Sequence, residues 1–432
     1  VTLDDTIAAL SSGPLPAGIA VLRLSGGRVR AALEQLAGGV PEARRATLRT
    51  FRDVAGEPID RGLLLFFPGP TSVTGEDLAE FHLHGGRAVV AAMLSALTAL
   101  PDIRLAEAGE FTRRAFANGR IDLTEAEGLA DLLAAETETQ RRRAFRQSAG
   151  EFRDLAEGWA RRLLRARALI EAEFDFSDEG DVGESAARGV RSEVEALRVD
   201  IERRLRGARR GEIGREGFRV AIAGAPNAGK SSLLNALSAR EAAIVSPEAG
   251  TTRDLVEVRL DLGGAVVILT DTAGLRETDG LVERIGIERA RAAIGEADLV
   301  LSLAEPGHAF EALDTQAPVW PLRTKADLAL PHGEPALSTA TGLGLDTLLE
   351  RISNAAREAA GDPAEVVPTR ERHRLVLAET AAILAAYDPE HQPPEVAAET
   401  LRLAADRLGS LTGRTGVEDL LGVIFSEFCV GK

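Results

Sequence analysis

The sequence predicts an α/β fold joined to an all-α part: a small amino-terminal α/β domain, then a helical domain split by a second, inserted α/β domain. Three observations predict it. Short apolar runs alternate with helix-like stretches up to residue 118, and turn signals nearly vanish from Leu123 to Phe176. A glycine-rich loop at 224–232 then separates a strand-like run from a helix-like one. The boundaries read as 1–118, 119–213, 214–361 and 362–432, the second and fourth segments forming one discontinuous helical domain.

In the first segment, strand-like runs fall at 17–24, 63–67 and 78–83, and helix-like runs at 29–37 and 87–100. Further on, Phe145, Phe152 and Trp159 recur seven apart with Leu155 and Leu163 beside them, which predicts one long helix over 123–176 with the aromatics in a core seam. An acidic break at 177–183 precedes a second helix marked by Val190, Val194, Leu197, Ile201 and Leu205. The glycine-bearing stretch 211–217 is expected to interrupt that helix. Strand-like runs at 218–223, 266–270 and 299–303 then alternate with helix-like ones to about Gly361, and beyond Pro363 and Pro368 the chain returns to helix-like sequence.

At 432 residues the chain is long enough for two or three domains, each burying its own core. The apolar runs 88–94 and 381–387 fall far short of the roughly 18–20 residues that cross a membrane, and no basic start followed by an apolar segment predicts export. A single cysteine, Cys429, excludes an internal disulfide framework, so a cytoplasmic location without a membrane partner is expected. The net charge of −16 repels nucleic acid, so RNA contact needs a local patch or a partner. Arginines at 141–143, at Arg161, Arg162, Arg165 and Arg167, and at Arg203, Arg204, Arg206, Arg209 and Arg210 are candidates, although such runs are usually solvated helix faces.

Of 51 basic residues only Lys230, Lys325 and Lys432 are lysine, so these positions call for a compact ammonium where arginine is the default. Lys230 lies in GAPNAGKSS, which fits G-x-x-x-x-G-K-[ST] between strand and helix. There the backbone N–H groups and the helix N-terminus cradle phosphate oxygens, Lys230 reaches the outer phosphates and the Ser231 hydroxyl can hold magnesium. In GTTRD, Thr252 is the candidate to complete the magnesium shell and sense the last phosphate. In DTAG, Asp271 holds magnesium through water, and a glycine N–H, at Gly274, meets the terminal phosphate. In TKAD, Asp327 accepts from guanine's N–H groups and Lys325 packs its stem over loop and base, so the order of the four motifs predicts a GTP site. Thr324 stands where asparagine is usual, and Ser338-Thr339-Ala340 is a loose match to Ser-Ala-Lys, so modest GTP affinity is expected. Leu275 follows DTAG, so the water-orienting glutamine of small signalling GTPases is missing. Glu283 has the chemistry to replace it, no arginine finger presents itself, and the oxygen of Asn227 could help hold a monovalent cation.

The whole chain resembles the bacterial MnmE (TrmE) family of tRNA-modifying GTPases. The resemblance lies in DTIAAL, AVLRLSG, TSVTGEDLAEFHLHGG, AGEFTRRAFANGRIDLTEAEGLADLL, GAPNAGKSSLLNAL, GTTRD, DTAGLRETDGLVERIGIERA and the terminal FCVGK. It implies a P-loop GTPase domain of Ras-like fold and a homodimer whose amino-terminal domains bind a tetrahydrofolate one-carbon derivative. The GTPase domains would pair in a potassium-dependent way. With an FAD-dependent partner of the MnmG (GidA) type, in a heterotetramer and with FAD on the partner only, the family adds an aminomethyl or carboxymethylaminomethyl group to carbon 5 of the wobble uridine of certain tRNAs.

By position, the resemblance puts folate contacts on Arg23, Glu80, Arg120 and Lys432, with Arg120 departing from a frequent lysine. It places potassium on Asn227, Ser246, Glu248 and Thr251. The nucleotide set comprises Asn227, Ala228, Gly229, Lys230, Ser231, Ser232, Ser246, Pro247, Glu248, Ala249, Gly250, Thr251, Thr252, Asp271, Thr272, Ala273, Gly274, Thr324, Lys325 and Asp327. Glu283 matches the family's water-orienting glutamate, and Cys429 its carboxy-terminal cysteine beside the modification centre. His82 and His84 share a strand face with no third metal ligand nearby, which favours a structural or substrate-lining role. The alternatives are a ribosome-assembly GTPase, which has no need of this front domain or a free FCVGK end, and a scaffold in which GTP only drives dimerisation.

Overall fold

In Ala17–Ser25 the side chains of Ala20, Leu22 and Leu24 are buried in alternation, the period-two signature of a strand with one face on a core. This strand, β2, is central to a six-stranded sheet with β1 (Thr6–Leu10), β3 (Thr47–Arg52), β4 (Pro58–Phe67), β5 (Leu78–Gly85) and β6 (Ile103–Leu105). The order is β3-β4-β5-β2-β1-β6, and only β1 and β6 run parallel. Helices α1 (Val29–Ala37) and α2 (Arg87–Thr98) contribute to a core with Leu22, Leu24, Leu33, Phe51, Phe81 and Met93. The amphipathic run 29–37 is therefore α1 as expected. The short strands β1, β3 and β6 are additional to the expected ones.

The computed structural model describes residues 5–175, 183–240, 243–244, 257–272, 281–329, 335–414, 421–422, 424–425, 428 and 430–431. The chain divides into two compact units, one of Val1–Ala130, Gln147–Ala160 and Asp406–Lys432, the other of Asp131–Arg146 and Arg161–Ala405.

After α3 (Glu110–Ala117) the expected single helix over 123–176 is three: α4 (Leu123–Ala134), α5 (Glu138–Ser148) and α6 (Glu151–Asp175). Two local devices cut it. Thr137 and Gln140 form a capping box, the Gln140 N–H donating to Thr137 Oγ1 at 3.3 Å while Gln140 Oε1 accepts the Thr137 N–H at 3.3 Å. Gly150, at φ 91°, takes a left-handed turn that other residues disfavour. The heptad seam fails with the helix: Phe152 and Trp159 are buried on α6, but Phe145 on α5 is 56% exposed.

Helix α7 (Gly183–Arg206) is followed by α8 (Ala208–Glu216), so 211–217 does not interrupt a helix as expected; the break falls at Gly207. The glycines serve close approach instead. A Cβ at Gly211 would stand 2.0 Å from Pro368 O, and one at Gly214 would stand 1.5 Å from Nη1 of Arg143. Arg143 is thereby buried, which removes it from the candidate RNA patch, and Arg141 and Arg142 both bond Glu138 at 2.7 Å.

The second sheet holds β7 (Phe218–Gly224), β8 (Glu257–Leu262), β9 (Ala265–Asp271), β10 (Leu299–Ala304) and β11 (Val319–Arg323) in the order β11-β10-β7-β9-β8. All pairs are parallel except the β8–β9 hairpin. Strands β7, β9 and β10 are near-continuous apolar runs, as a parallel sheet packed on both faces requires. Helices α9 (Lys230–Ser238), α10 (Leu281–Glu296) and α11 (Leu345–Ala360) accompany it, with α9 and α11 supplying Leu233, Leu237, Leu348 and Ile352 to its core. Helices α12 (Glu371–Ala385) and α13 (Pro394–Thr412) follow, and among the described residues no helix is long and apolar enough to cross a membrane.

Candidate functional site

In a parallel sheet the loops at the carboxyl ends of the strands form the binding crevice, and three chemistry-bearing segments meet at those ends here. Strand β7 stops at Gly224, whose φ of 143° and close packing exclude a side chain: a Cβ would stand 2.3 Å from Leu303 O. The loop then turns through Asn227 and Gly229, both with positive φ, into the N-terminus of α9. Lys230 opens that helix and is buried. Its ammonium donates to Gly224 O and, at 2.9 Å, to Ala225 O, both in its own loop. Burial pulls its pKa below the usual lysine value, while Asp271 and Glu311 oppose the shift.

Asp271 ends β9, its Cα in register with Ile222 of β7, and is 1% exposed. The Ser231 hydroxyl donates to its Oδ2 at 2.6 Å. A hydroxyl and a carboxylate side by side are the hard oxygen donors that suit magnesium. Thr272, next in the chain, bonds Ile222 O through its hydroxyl at 2.8 Å, tying β9 back to β7.

At the end of β11, Thr324 is buried, with its N–H on Ala304 O at 3.0 Å and its hydroxyl only 3.5 Å from the same oxygen. A Cβ added at Gly229 would lie 3.7 Å from the Thr324 side chain, so the residue that replaces asparagine sits beside the phosphate loop. Lys325 takes a left-handed φ of 53° and pairs with Glu305, a residue the sequence reading did not single out. Asp327 accepts from the Ser338 hydroxyl, which links the two segments 324–327 and 338–340.

Of the amino-terminal candidates, Arg23 and Glu80 meet on the first sheet. Ala9, Arg23 and Glu80 are successive partners across β1, β2 and β5, and Arg23 donates to Glu80 Oε1 from Nε at 3.1 Å and from Nη2 at 2.7 Å. The Arg23 guanidinium also lies 5.8 Å from the centre of the Phe111 ring. His82 Nε2 is 3.7 Å from Glu80 Oε2 and has no hydrogen-bond partner, while His84 pairs with Asp60 at 2.8 Å. No group of three metal-capable side chains occurs among the described residues. Arg120 is exposed, its N–H on Ala115 O at 2.8 Å. The last described residues reach the same sheet: the Ser11 hydroxyl donates to Gly431 O at 2.9 Å, and Val430 bridges Ala108.

Ser246, Pro247, Glu248, Ala249, Gly250, Thr251, Thr252, Ala273, Gly274, Cys429 and Lys432 lie outside the described residues, as does the side chain of Glu283 on α10.

Two family models match. One, described as the MnmE helical domain, covers residues 123–429, and the other, described as the GTP-binding protein TrmE N-terminus, covers residues 6–120. The tRNA modification GTPase MnmE of Brucella anthropi is 54% identical over 440 residues, spanning 100% of this chain and 99% of the relative. That of Brucella canis is 54% identical, spanning 99% of this chain and 98% of the relative. Among solved structures, the G domain of the T. maritima FeoB iron transporter aligns with 32% of this chain and 99% of its own length, at 28% identity and a TM-score of 0.24.

Proposed function

The chain belongs to the MnmE family of tRNA modification GTPases, and on that premise we propose that it couples potassium-dependent GTP hydrolysis to chemistry at carbon 5 of the wobble uridine. The observation that carries the reading is the Ser231 hydroxyl on Asp271 at the carboxyl ends of the parallel strands, beside the buried Lys230.

Lys230 turns its ammonium from its own loop to the outer phosphates, and the loop N–H groups of Asn227 to Ser232 hold the remaining oxygens. Ser231 and Thr252 would hold magnesium, and Asn227, Ser246, Glu248 and Thr251 would hold potassium. These ions supply positive charge against that developing on the transferred phosphoryl group. Glu283 orients the attacking water. Asp327 reads guanine, and Lys325, fixed by Glu305, covers the base.

In the amino-terminal part, the residues present fit a tetrahydrofolate one-carbon derivative. Glu80 is an acceptor for ring N–H groups, Arg23 a donor for a carboxylate, and His82 Nε2 a nitrogen without a hydrogen bond, 3.7 Å from Glu80 on the same face. Arg120 and Lys432 would add positive charge, and Gly431 accepts from the Ser11 hydroxyl just past β1. The division is 1–118 folate-binding and dimerising, 119–213 with 362–432 helical, and 214–361 GTPase. The working form is a cytoplasmic homodimer that joins an FAD-dependent partner of the MnmG type in a heterotetramer and acts on tRNA.

The test is steady-state GTP hydrolysis in potassium and in sodium at matched ionic strength with magnesium. Potassium should raise the rate. Equal rates in both salts would remove the Asn227 cation site from the reading.

A further inference from the structure

Arg143 performs no role in the site above, yet it is 9% exposed and its guanidinium is spent on backbone carbonyls. Nη1 donates to Arg210 O at 3.3 Å and Gly211 O at 3.5 Å; Nη2 donates to Ala360 O at 3.2 Å and Asp362 O at 3.4 Å. The first pair lies in α8, immediately before the chain enters β7. The second pair marks the end of α11, where the chain leaves the GTPase sheet. One side chain on α5 therefore holds both crossing points, and Gly214 has no side chain because the guanidinium occupies that volume.

Arg143 is the centre of a polar stripe along one side of α5 and its cap, with the spacing that puts side chains on one helix face. Glu136 pairs with Arg259 of β8 at 2.9 Å. The Thr139 hydroxyl lies 2.6 Å from where a Gly264 Cβ would be, in the turn that starts β9. Gln140 donates to Arg215 O at 2.8 Å, and Arg146 to Pro363 O at 3.2 Å. A third strand is tied in from α8, where Arg209 bonds Asp298, the residue before β10, at 2.5 Å. The approaches to β7 and β10 are thus bonded from α5 and α8, and the turn before β9 packs against Thr139 of α5.

The carboxyl ends of the same strands carry the phosphate machinery. Lys230 bonds Gly224, the last residue of β7, and Ser231 bonds Asp271, the last residue of β9. Each of these two strands spans seven residues, roughly 20 Å of extended backbone. When a phosphate takes the Lys230 ammonium, Gly224 O and Ala225 O lose their donor, so the top of β7 carries different bonds in the two states. A ligand shifts an equilibrium only through such differential contacts.

We propose that Arg143 is a positioning residue that delivers the nucleotide state from β7 and β9 to α5 and α8. The proposal rests on the GTPase reading but not on the tRNA chemistry. It is tested by amide hydrogen exchange of the full chain, free and with β,γ-imido-GTP and magnesium in potassium buffer. The variants are Arg143→Met and Arg143→Lys, each below its melting temperature and with nucleotide affinity measured on the same sample. In the wild type, nucleotide should slow exchange at 225–232 and, by about threefold or more, at 138–146 and 208–216. In Arg143→Met the loop response should persist and the response of α5 and α8 should vanish. Arg143→Lys keeps the charge without the planar fork and should retain part of it; if Arg143→Met does not fold, Arg143→Lys alone decides by whether the response of α5 and α8 drops. A wild-type α5 and α8 indifferent to nucleotide, or a full response in the variants, overturns the proposal. The readout needs no tRNA, so it fails or succeeds separately from the modification reading.

Discussion

Ser231→Ala removes one hydroxyl and leaves the phosphate loop's backbone in place. In the structure that hydroxyl donates to Asp271 at 2.6 Å, and Asp271 is 1% exposed. A hydrogen bond to a charged group contributes about 1.5–3 kcal/mol, and a metal-ligand oxygen at the same position is of at least that order. At about 1.4 kcal/mol per factor of ten, GTP binding in magnesium should weaken roughly 10- to 150-fold. Binding in a chelator should change by less than about threefold, because the loop N–H groups and Lys230 contact phosphate without the hydroxyl. Calorimetric titration of GTP in magnesium and in chelator separates the two terms. An equal loss in both buffers would show that the hydroxyl serves the phosphates directly, and no loss in either would remove Ser231 from the site.

Three further outcomes follow from the geometry. Arg114 is fully buried and bonds Asp5, Glu76 and Glu110, the last also fully buried, so Arg114→Met should lower stability by about 3–5 kcal/mol in urea titrations. A loss below about 1 kcal/mol would mean that the carboxylates find other partners. In the same cluster, burial pushes the Glu110 carboxyl up, but bonds from Arg104, the Glu107 N–H and Arg114 outweigh it and hold it below the usual 4.5. Asp5 is likewise held below 3.8, its burial outweighed by Arg114 and Arg104. Because both folded values are depressed, this contribution is complete above pH 4.5 and is lost as pH falls through the folded values. The urea midpoint should therefore drop on acidification below that point, and Arg114→Met should flatten the drop. Finally, Thr324→Asn adds an amide beside Gly229 in place of a hydroxyl with only a 3.5 Å contact. One added hydrogen bond of about 0.5–1.5 kcal/mol should tighten GTP binding roughly two- to twelvefold by titration. Weaker binding would show that the buried position has no room for the amide.

The parts legible in the sequence are those where local pattern and tertiary packing agree. The apolar stripe of Val29–Ala37 gave α1 its bounds because one face had to be buried, and the lysine scarcity pointed to Lys230, whose ammonium bonds its own loop, and to Lys325, which pairs with Glu305. The order of the motifs was enough to bring Ser231 and Asp271 to one place, since parallel strands deliver their carboxyl ends to one edge. Periodicity misled where a cap intervened. The aromatics at intervals of seven run across the capping box of Thr137 and Gln140, so Phe145 falls on a different helix from Phe152. Glycine misled where it marked close approach rather than a turn, as at Gly211 and Gly214. Arg143 could not be told from Arg141 and Arg142 by composition, since its role depends on carbonyls 67 to 219 positions away in the chain. The pairing of Glu305 with Lys325 spans 20 positions and carries no motif either.

The central claim is that this GTPase serves tRNA modification. The most direct measurement is mass spectrometry of the wobble nucleoside from unmodified tRNA incubated with the chain, an FAD-dependent partner of the MnmG type, a tetrahydrofolate one-carbon donor, ammonium or glycine, and GTP. The account predicts a 5-aminomethyl or 5-carboxymethylaminomethyl uridine that is lost when GTP is omitted and when Lys230 is replaced by alanine. An unmodified wobble uridine, from reactions in which the chain hydrolyses GTP and the partner holds its FAD, would contradict it.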